Sequence, residues 1–430
     1  MRRALLILPF LALHVLADDA QDLKDRLKKL EIEEATRRLP LAEHCEKAKM
    51  WKEADAEYKR LIELAPDNAE IQDKAAKSAQ KAEVSQARPT KADEDAWKVG
   101  EAALTRDLGK KYWELALWAS SKGLRLEAER IAEVAEKMDE ASGTQSPSSK
   151  KFWDTLYPAG DERRQAVEKL NEYRKKCGLP PCVFSARISA GAQRHSEYLV
   201  TNRDHPTTNG LGAHDEHKEL PGYTPEGAHA GGASDIGQVS PLPSMINMLG
   251  TFYHRIPLLS PDLKKVGIGW AEVPDGNGMG WCVIDCNSGV ERGKSEGAPR
   301  VVAYAPDKMT DVQRAFDNEL PDPIPAGEDH DCGEAITLTW FEKGKPSAST
   351  MEVKVNGAAV EGYFSTPQDP ARKDHGNGTS LCFIPKDFFP ANAKIEVSVK
   401  ATVEGKPFSR TWSFTTGAHE HDAWKGRDNK

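Results

Sequence analysis

Residues 214–217 read His-Asp-Glu-His, residues 222–228 read Gly-Tyr-Thr-Pro-Glu-Gly-Ala, and residues 253–259 read Tyr-His-Arg-Ile-Pro-Leu-Leu. Five of the twelve histidines lie between His195 and His229, with acidic residues between them. Imidazole and carboxylate groups in one stretch suit a divalent metal or proton transfer. The interspersed glycines and prolines indicate a loop, and loops on a rigid scaffold often carry sites. The alternative is a solvated polar loop with no function of its own.

Length and charge limit the classes of protein that this chain can form. A chain of 430 residues is expected to fold into about two to four domains. The net charge is −8 and no basic stripe is present, so we expect no nucleic-acid partner. Plentiful charged residues and few aromatic ones are typical of globular domains outside a membrane.

The first 17 residues predict a secretory signal peptide. Arg2 and Arg3 precede an apolar run over residues 4–16, and Ala17 ends a small-residue cleavage site. The apolar run is too short to span a bilayer well, and no later stretch is apolar enough, so no transmembrane segment is expected. We predict cleavage after Ala17 and a secreted protein, extracellular or periplasmic.

Export would make the seven cysteines candidates for disulfides. Cys332 and Cys382 both fall in the C-terminal region and are predicted to pair. Cys282 and Cys286 lie in one predicted strand, which would hold them roughly 13 Å apart, too far for a bond. Cys45 is the odd cysteine, expected inside a helix. The remaining connectivity stays open.

Residues 18–141 are predicted to be helical. They are rich in Ala, Glu, Lys and Leu, and residues 41–68 resemble a tetratricopeptide-type helical hairpin in which small Ala54 packs between bulky neighbours. A second imperfect copy with Ala128 runs from Leu115 to Asp139. A plain helical bundle is the alternative interpretation. Residues 141–150 then read as a linker.

Residues 150–290 predict an α+β domain. Helices are expected over residues 161–177, from a cap at Ser185, and from Pro243. His195 falls on the apolar stripe of the second helix, so we expect it to be a core histidine. Two strands are predicted at residues 266–273 and 279–286, joined by a turn at residues 275–278.

This region resembles a CAP domain, from the superfamily of cysteine-rich secretory proteins, antigen 5 and plant pathogenesis-related-1 proteins, and it is nearest to the bacterial branch. The motifs that carry the resemblance follow in order: Leu170-Asn-Glu-Tyr-Arg, Ala192-Gln-Arg-His-Ser-Glu-Tyr, Gly222-Tyr with Glu226-Gly-Ala, His254-Arg255 with Leu258-Leu-Ser-Pro, and Val266-Gly-Ile-Gly. The resemblance implies an α-β-α sandwich with a central cleft.

In this family the cleft carries two histidines and two glutamates that hold a divalent cation. The resemblance therefore implies metal ligands at His214, Glu226 and His254, with zinc or another divalent cation as the cofactor. His205 or His217 is the alternative to His214, because the loop length is unusual. Thr251 stands where the second glutamate is expected.

Alternating apolar residues return after a Gly- and Ser-rich linker at residues 288–300. Residues 298–417 predict a β-sandwich that resembles the bacterial Ig-like modules, with an Asn356-Gly357 hairpin. Residues 418–430 are expected to be a solvated polar tail, although the His-Glu-His-Asp run there is also able to touch a metal. The predicted fold class is thus multidomain: all-α, then α+β, then all-β.

Two functions follow from these patterns. The first is a secreted CAP-type protein that binds an unknown protein or a lipid-like ligand at a His/Glu cleft. The alternative is a metal-dependent hydrolase, a peptidase or esterase, that uses the same cleft. Against a hydrolase, neither Gly-x-Ser-x-Gly nor His-Glu-x-x-His occurs. Ser196 adjoins His195, but neighbours on a helix point apart.

Overall fold

The computed structural model describes residues 8–422, apart from residues 86, 87, 144, 145, 275, 277 and 294, and of residues 8–17 it describes the backbone alone. The chain divides into two compact units, Met1–Pro158 and Ala159–Lys430, called here the N-terminal and the C-terminal unit. Residues 1–7 of the predicted signal peptide lie outside the described residues, so export stays a prediction. Within the described part, no helix combines the length and apolar character that a membrane crossing requires.

The N-terminal unit is helical, as predicted. Its helices are α1 (Leu8–Lys47), α2 (Trp51–Leu64), α3 (Ala69–Val84), α4 (Lys91–Ser121), α5 (Arg125–Ser142) and α6 (Pro147–Leu156). Helix α6 begins inside the predicted linker at residues 141–150, because Ser146 caps it and Pro147 suits the first helical turn. The linker is therefore shorter than the composition suggested.

Two helical hairpins in this unit share one turn geometry. The turn between α1 and α2 holds Lys49 at φ 61°, and the turn between α4 and α5 holds Gly123 at φ 76°. Ala54 and Ala128, which the sequence singled out as packing positions, are both fully buried. The same number of positions separates Lys49 from Gly123 and Ala54 from Ala128, so both hairpins have the same spacing between the positive-φ turn and the buried alanine. Kinship with tetratricopeptide repeats stays a prediction.

The first half of the C-terminal unit is layered. Its elements are α7 (Glu162–Lys176), β1 (Val183–Phe184), α8 (Ala186–Thr201), two 3-10 turns (Pro206–Thr208 and Gly210–His214), α9 (Pro225–Gly232), β2 (Ser234–Gly237), α10 (Pro241–Leu249), α11 (Arg255–Leu258), β3 (Lys265–Glu272) and β4 (Gly280–Asp285). The strands form one sheet in the order β1-β3-β4-β2, in which β3 and β4 are the predicted antiparallel pair.

The two faces of β3 explain the layers. Val266 and Ile268 are fully buried in the core that also holds residues of α7 and α10. Gly267 and Gly269 face α8, where a Cβ on Gly269 would lie 2.1 Å from the Ala192 carbonyl oxygen. Only glycine permits this approach of helix to strand. Helix α10 begins at Pro241 and not at Pro243 as predicted, because Pro241 also suits the first turn of a helix.

The second half of this unit consists of two four-stranded sheets. Their strands are β5 (Val301–Tyr304), β6 (Ile336–Trp340), β7 (Pro346–Val355), β8 (Ala358–Ala359), β9 (Gly362–Ser365), β10 (Ser380–Pro385), β11 (Lys394–Val403) and β12 (Lys406–Thr415). The sheet orders are β5-β6-β10-β9 and β12-β11-β7-β8, with antiparallel pairing throughout. The prediction of a C-terminal all-β region is confirmed.

The layered half and the β half share a continuous apolar core. One cluster of buried side chains contains Leu170 and Ile268 from the first half and Leu338 and Val397 from the second. The segment at residues 288–300, predicted to be a linker, ends at Arg300, whose guanidinium forms two bonds of 2.9 and 3.0 Å with Asp262. The domain boundaries predicted at residues 290 and 298 stay a prediction, and both regions lie within one compact unit, Ala159–Lys430.

All seven cysteines are free thiols in this structure. The predicted bond between Cys332 and Cys382 is therefore not formed, although both lie in one buried cluster. The Cys332 thiol instead donates a hydrogen bond of 3.3 Å to the Asp329 carbonyl oxygen. Cys45 is fully buried in α1, as expected of the odd cysteine.

Candidate functional site

A cleft of about 330 Å³ opens beside β2 in the C-terminal unit. Its wall combines residues from the loop before α9, from β2 and β4, from α10 and the turn after it, and from the segment that leads into the β half. The polar residues of the wall are His214, Gln238, Asn247, Thr251, His254, Asn318 and Glu319, and its large apolar residues are Leu211, Ile236, Met248, Trp281 and Leu320.

His254 lies just before α11 and is held by a carboxylate. Its Nδ1 donates to Glu319 Oε2 at 3.0 Å. Burial lowers the pKa of His254, but the bond to Glu319 and the charges of Asp235 and Glu319 outweigh it, so the pKa lies above its usual value. With Nδ1 occupied, Nε2 is the ring nitrogen available to the cleft.

Glu319 is the residue that the sequence motifs do not reveal. Its side chain is fully buried, and it accepts backbone N–H groups from Phe252 at 2.7 Å, Tyr253 at 2.9 Å and His254 at 3.4 Å. Four donors on one carboxylate fix both the turn and the imidazole ring. Sequence spacing gave no signal for it, because Glu319 lies 65 positions beyond His254 and outside the CAP-like motifs.

Thr251, which stands in the place expected for a glutamate, is buried, and its hydroxyl is bonded to the backbone. Its hydroxyl donates to the Met248 carbonyl oxygen at 2.8 Å and lies 3.4 Å from His254 Nδ1. The carboxylate beside His254 is thus supplied by Glu319, from a different part of the chain.

His214 is the second histidine of the cleft. Its Nδ1 donates to the Gly231 carbonyl oxygen at 3.0 Å, which again leaves Nε2 for the cleft. Burial lowers the pKa of His214 more than the bond to Gly231 raises it, and nearby His195 and His254 lower it further. His214 is therefore a neutral imidazole at pH 7, beside a more basic one.

The two alternatives to His214 lie outside the cleft wall. His205 is exposed and its Nδ1 contacts the Thr207 hydroxyl at 2.8 Å. His217 Nδ1 lies 3.7 Å from Glu219 Oε1. Among the candidates for the first histidine, the structure places His214 beside His254 in one wall.

Glu226, the third predicted ligand, is not among the residues that line the cleft. It lies in the first turn of α9, with Oε2 3.5 Å from a guanidinium nitrogen of Arg194. The structure brings His214 and His254 together and leaves Glu226 apart, so the predicted set of three stays a prediction.

The donors present do not fit a resident zinc ion. In the described residues, no group of three or more His, Cys, Asp or Glu side chains is arranged to hold a metal. Protein zinc sites use three or four protein ligands, whereas His214 and His254 supply two, and Glu319 already serves four donors.

His195 is a core histidine, as predicted. It is fully buried, its Nδ1 contacts Glu216 Oε1 at 3.0 Å and its Nε2 contacts the Ala213 carbonyl oxygen at 2.7 Å. The other oxygen of Glu216 accepts the Thr224 N–H at 2.9 Å. His195 and Glu216 therefore hold the loop that presents His214. Ser196 donates to the Ala192 carbonyl oxygen at 2.9 Å and is not paired with His195.

Asp235 is a buried carboxyl behind the cleft, on β2. Burial raises its pKa to about 7, against the lowering effects of the His254 charge and the Cys286 thiol. The thiol donates to Asp235 Oδ2 at 3.6 Å. Asp235, His254 and Glu319 thus form a cluster of coupled charges beneath the cleft, which the sequence analysis did not identify.

Arg255, next to His254, is also held from the β half. Its guanidinium is buried, bonds Glu334 at 2.5 Å and the Ala335 carbonyl oxygen at 2.8 Å, and lies 3.9 Å from the ring centre of Tyr304. Two buried glutamates, Glu319 and Glu334, therefore bond the side chains of two successive residues of the CAP-like motif, His254 and Arg255. We call this pair of contacts the glutamate clamp.

The start of the predicted solvated tail is docked, so that prediction was wrong for residues 420–422. His421 Nδ1 bonds Asp317 at 2.5 Å, and the Asp422 N–H bonds Gln313 at 3.0 Å. The Tyr173 hydroxyl donates to Asp422. The tail thereby contacts Gln313 and Asp317, in the segment that leads to Glu319. Residues 423–430 lie outside the described residues.

Comparison with known proteins supports the CAP resemblance for part of the chain. Residues 167–286 match the family described as "CAP: Cysteine-rich secretory protein family". The match supports a CAP domain in this range, and it includes neither the helical hairpins nor the β half. No curated protein matches the chain.

The solved structures to which this chain is similar include "Structure of surface layer protein SbsC, domains 1-6". It shares 9% sequence identity over 90% of this chain, with a TM-score of 0.16. The chain spans 45% of the length of that structure. At this TM-score the likeness carries no argument about fold or function.

Proposed function

We propose that the protein is an exported binding protein whose CAP-type cleft takes a small ligand or a short segment of a partner. The observation that carries the proposal is the pair of anchored imidazoles. His214 and His254 each have Nδ1 fixed by the protein, to Gly231 and to Glu319, and both imidazoles line the same cleft. Pre-set polar groups in a mostly apolar concavity are typical of ligand sites.

Catalysis has less support than binding. A hydrolase would need a nucleophile or a metal-bound water near a free base. The Ser196 hydroxyl is committed to a backbone carbonyl, and the Glu319 carboxylate to three N–H groups and an imidazole. The geometry thus supports recognition of a ligand more than chemistry on it.

A fragment screen on the full chain tests the proposal. Ligand-observed NMR against wild type should find fragments whose binding is lost in His214→Ala and kept in His205→Ala. His205 is the matched control because it is an exposed histidine outside the cleft wall. Fragments that bind all three proteins equally, or no fragments at all, would overturn the proposal.

Zinc titration gives a separate measurement on the predicted cation site. Because the cleft is lined by two imidazoles, His214 and His254, we expect zinc to bind weakly, and more weakly as pH falls and protons compete for the imidazoles. Tight stoichiometric binding that disappears in both His214→Ala and His254→Ala would show that a third ligand joins them and that a metal is part of the site.

A further inference from the structure

Strand β2 presents a free backbone edge to the cleft. It is the last strand of its sheet, with β4 on one side and no described strand on the other. Ile236, Gly237 and Gln238 are consecutive, and all three line the cleft. Because side chains of successive strand residues point to opposite faces, the presence of both Ile236 and Gly237 in the lining places the backbone edge itself in the wall. A free edge is a template for one more strand.

Three side-chain amides line the same cleft as this edge, and those of Gln238 and Asn318 belong to exposed residues. Gln238 follows β2, Asn247 lies in α10 and Asn318 precedes Glu319, and each lines the cleft. Throughout the residues that the structure describes, none of the three amide groups has a hydrogen-bond partner. A primary amide offers two donors and one acceptor, which matches the N–H and C=O of a peptide group.

The charge of the wall excludes a strongly charged ligand. Of the three ionisable side chains of the wall, His254 and Glu319 are bonded to each other and His214 has a lowered pKa, and no Lys or Arg lines the cleft. Leu211 and Leu320, which also line it, are 47% and 49% exposed, and Trp281 adds an apolar surface. The wall therefore suits a neutral chain with hydrogen-bonding groups and apolar side chains.

We propose that the ligand is an uncharged, extended peptide segment that binds as an added strand on β2. Its backbone would pair with the edge at Ile236 and Gly237, because the Gln238 carbonyl oxygen already accepts the Gly280 N–H at 3.3 Å. Its remaining peptide groups would pair with the side-chain amides of Asn247 and Asn318, and its side chains would pack on Leu211 and Leu320. This mode uses main-chain hydrogen bonds for affinity and pockets for alternate side chains for selectivity. The inference rests on the proposed binding function and specifies its ligand.

The test is affinity selection with the full chain and a pool of random hexapeptides. The peptides are N-acetylated, C-amidated and built from uncharged residues, and retained ones are identified by mass spectrometry. Each selected peptide is remade with alternate backbone nitrogens methylated, which removes donors and leaves side chains unchanged. We expect at least a tenfold loss of affinity in one of the two methylation patterns, because alternate residues face the edge.

Protein variants provide the complementary measurement. Asn247→Leu and Asn318→Leu should each weaken binding severalfold, whereas Gln368→Leu, on an exposed loop of the β half, should not. Protection of the buried Cys286 thiol from alkylation verifies that each variant is folded.

The outcomes separate the ligand class from the binding function. If fragments bind the cleft but no peptide is enriched over His214→Ala, or if methylated peptides bind equally well, the peptide inference is wrong and the binding function stands. Retention of an N-acetylglucosamine trisaccharide in place of peptides has the same consequence. If fragments also fail, both proposals fall.

Discussion

Replacing Asp235 by Asn should make the C-terminal unit more stable at neutral and alkaline pH. Asp235 is 7% exposed, and burial raises the pKa of its carboxyl from 3.8 to about 7. Below pH 3.8 the carboxyl is protonated in both the folded and the unfolded chain and costs nothing. Between pH 3.8 and 7 the unfolded chain ionises first, so folding stability falls as pH rises.

The size of this effect follows from the shift. Each pKa unit corresponds to about 1.4 kcal/mol, so the shift from 3.8 to about 7 costs on the order of 4 kcal/mol above pH 7. The groups that face Asp235 are the His254 imidazole, the Glu319 carboxylate and the Cys286 thiol. Asn keeps the shape and cannot ionise, so the gain of the variant should be small near pH 4 and full near pH 8.

Pulsed alkylation of thiols measures this within the full chain. Cys286 is fully buried, so it reacts when the C-terminal unit unfolds, and Cys45 reports on the N-terminal unit in the same sample. With an m-value of roughly 3 kcal/mol per molar urea, the variant should shift the Cys286 midpoint at pH 8 by about 1.3 M and leave the Cys45 midpoint unchanged. Asp369→Asn, at an exposed position, is the control. An equal fall in stability with pH in wild type and Asp235→Asn would refute the reasoning.

Four further changes have expected outcomes. Glu319→Gln replaces one buried carboxylate oxygen, a hydrogen-bond acceptor, by an NH2 group. The variant should destabilise the C-terminal unit by about 3 kcal/mol, measured by urea midpoints, and lower the pKa of His254, measured by histidine NMR. An unchanged His254 titration would contradict the contact. Lys49→Gly should stabilise the N-terminal unit by about 1 kcal/mol and Gly123→Ala should destabilise it by a similar amount, because both positions have positive φ; Cys45 labelling would reveal any opposite sign. Removing residues 420–430 should weaken fragment binding at the cleft, as the docked tail ties down the segment of Glu319, and equal fragment affinity would separate tail from cleft.

Local patterns predicted local structure well. The apolar stripe of α8 placed His195 in the core, and Ser185 caps that helix as expected. The small residues Ala54 and Ala128 marked the two helical hairpins correctly. Each of these inferences depends on a period or a cap that is complete within a few turns of the chain.

The parts of the site that depend on distant contacts were not predictable in the same way. Glu319 reaches His254 from 65 positions away, and no periodicity or motif records that the β half packs there. Glu226 was placed in the cleft by motif order, whereas its side chain faces Arg194. The docked tail was taken for a solvated one because its composition is polar, yet its backbone and His421 find partners on the segment before Glu319.

The glutamate clamp has a consequence for the order of events in biosynthesis. A ribosome delivers the CAP-type motif at residues 254–255 well before Glu319 and Glu334, which hold its two side chains. Domains generally fold as units as the chain emerges, N-terminal parts first. Here the cleft can mature only after the β strands that follow have been made and packed, so a prematurely terminated chain would carry every residue of the family motif and still lack a finished site.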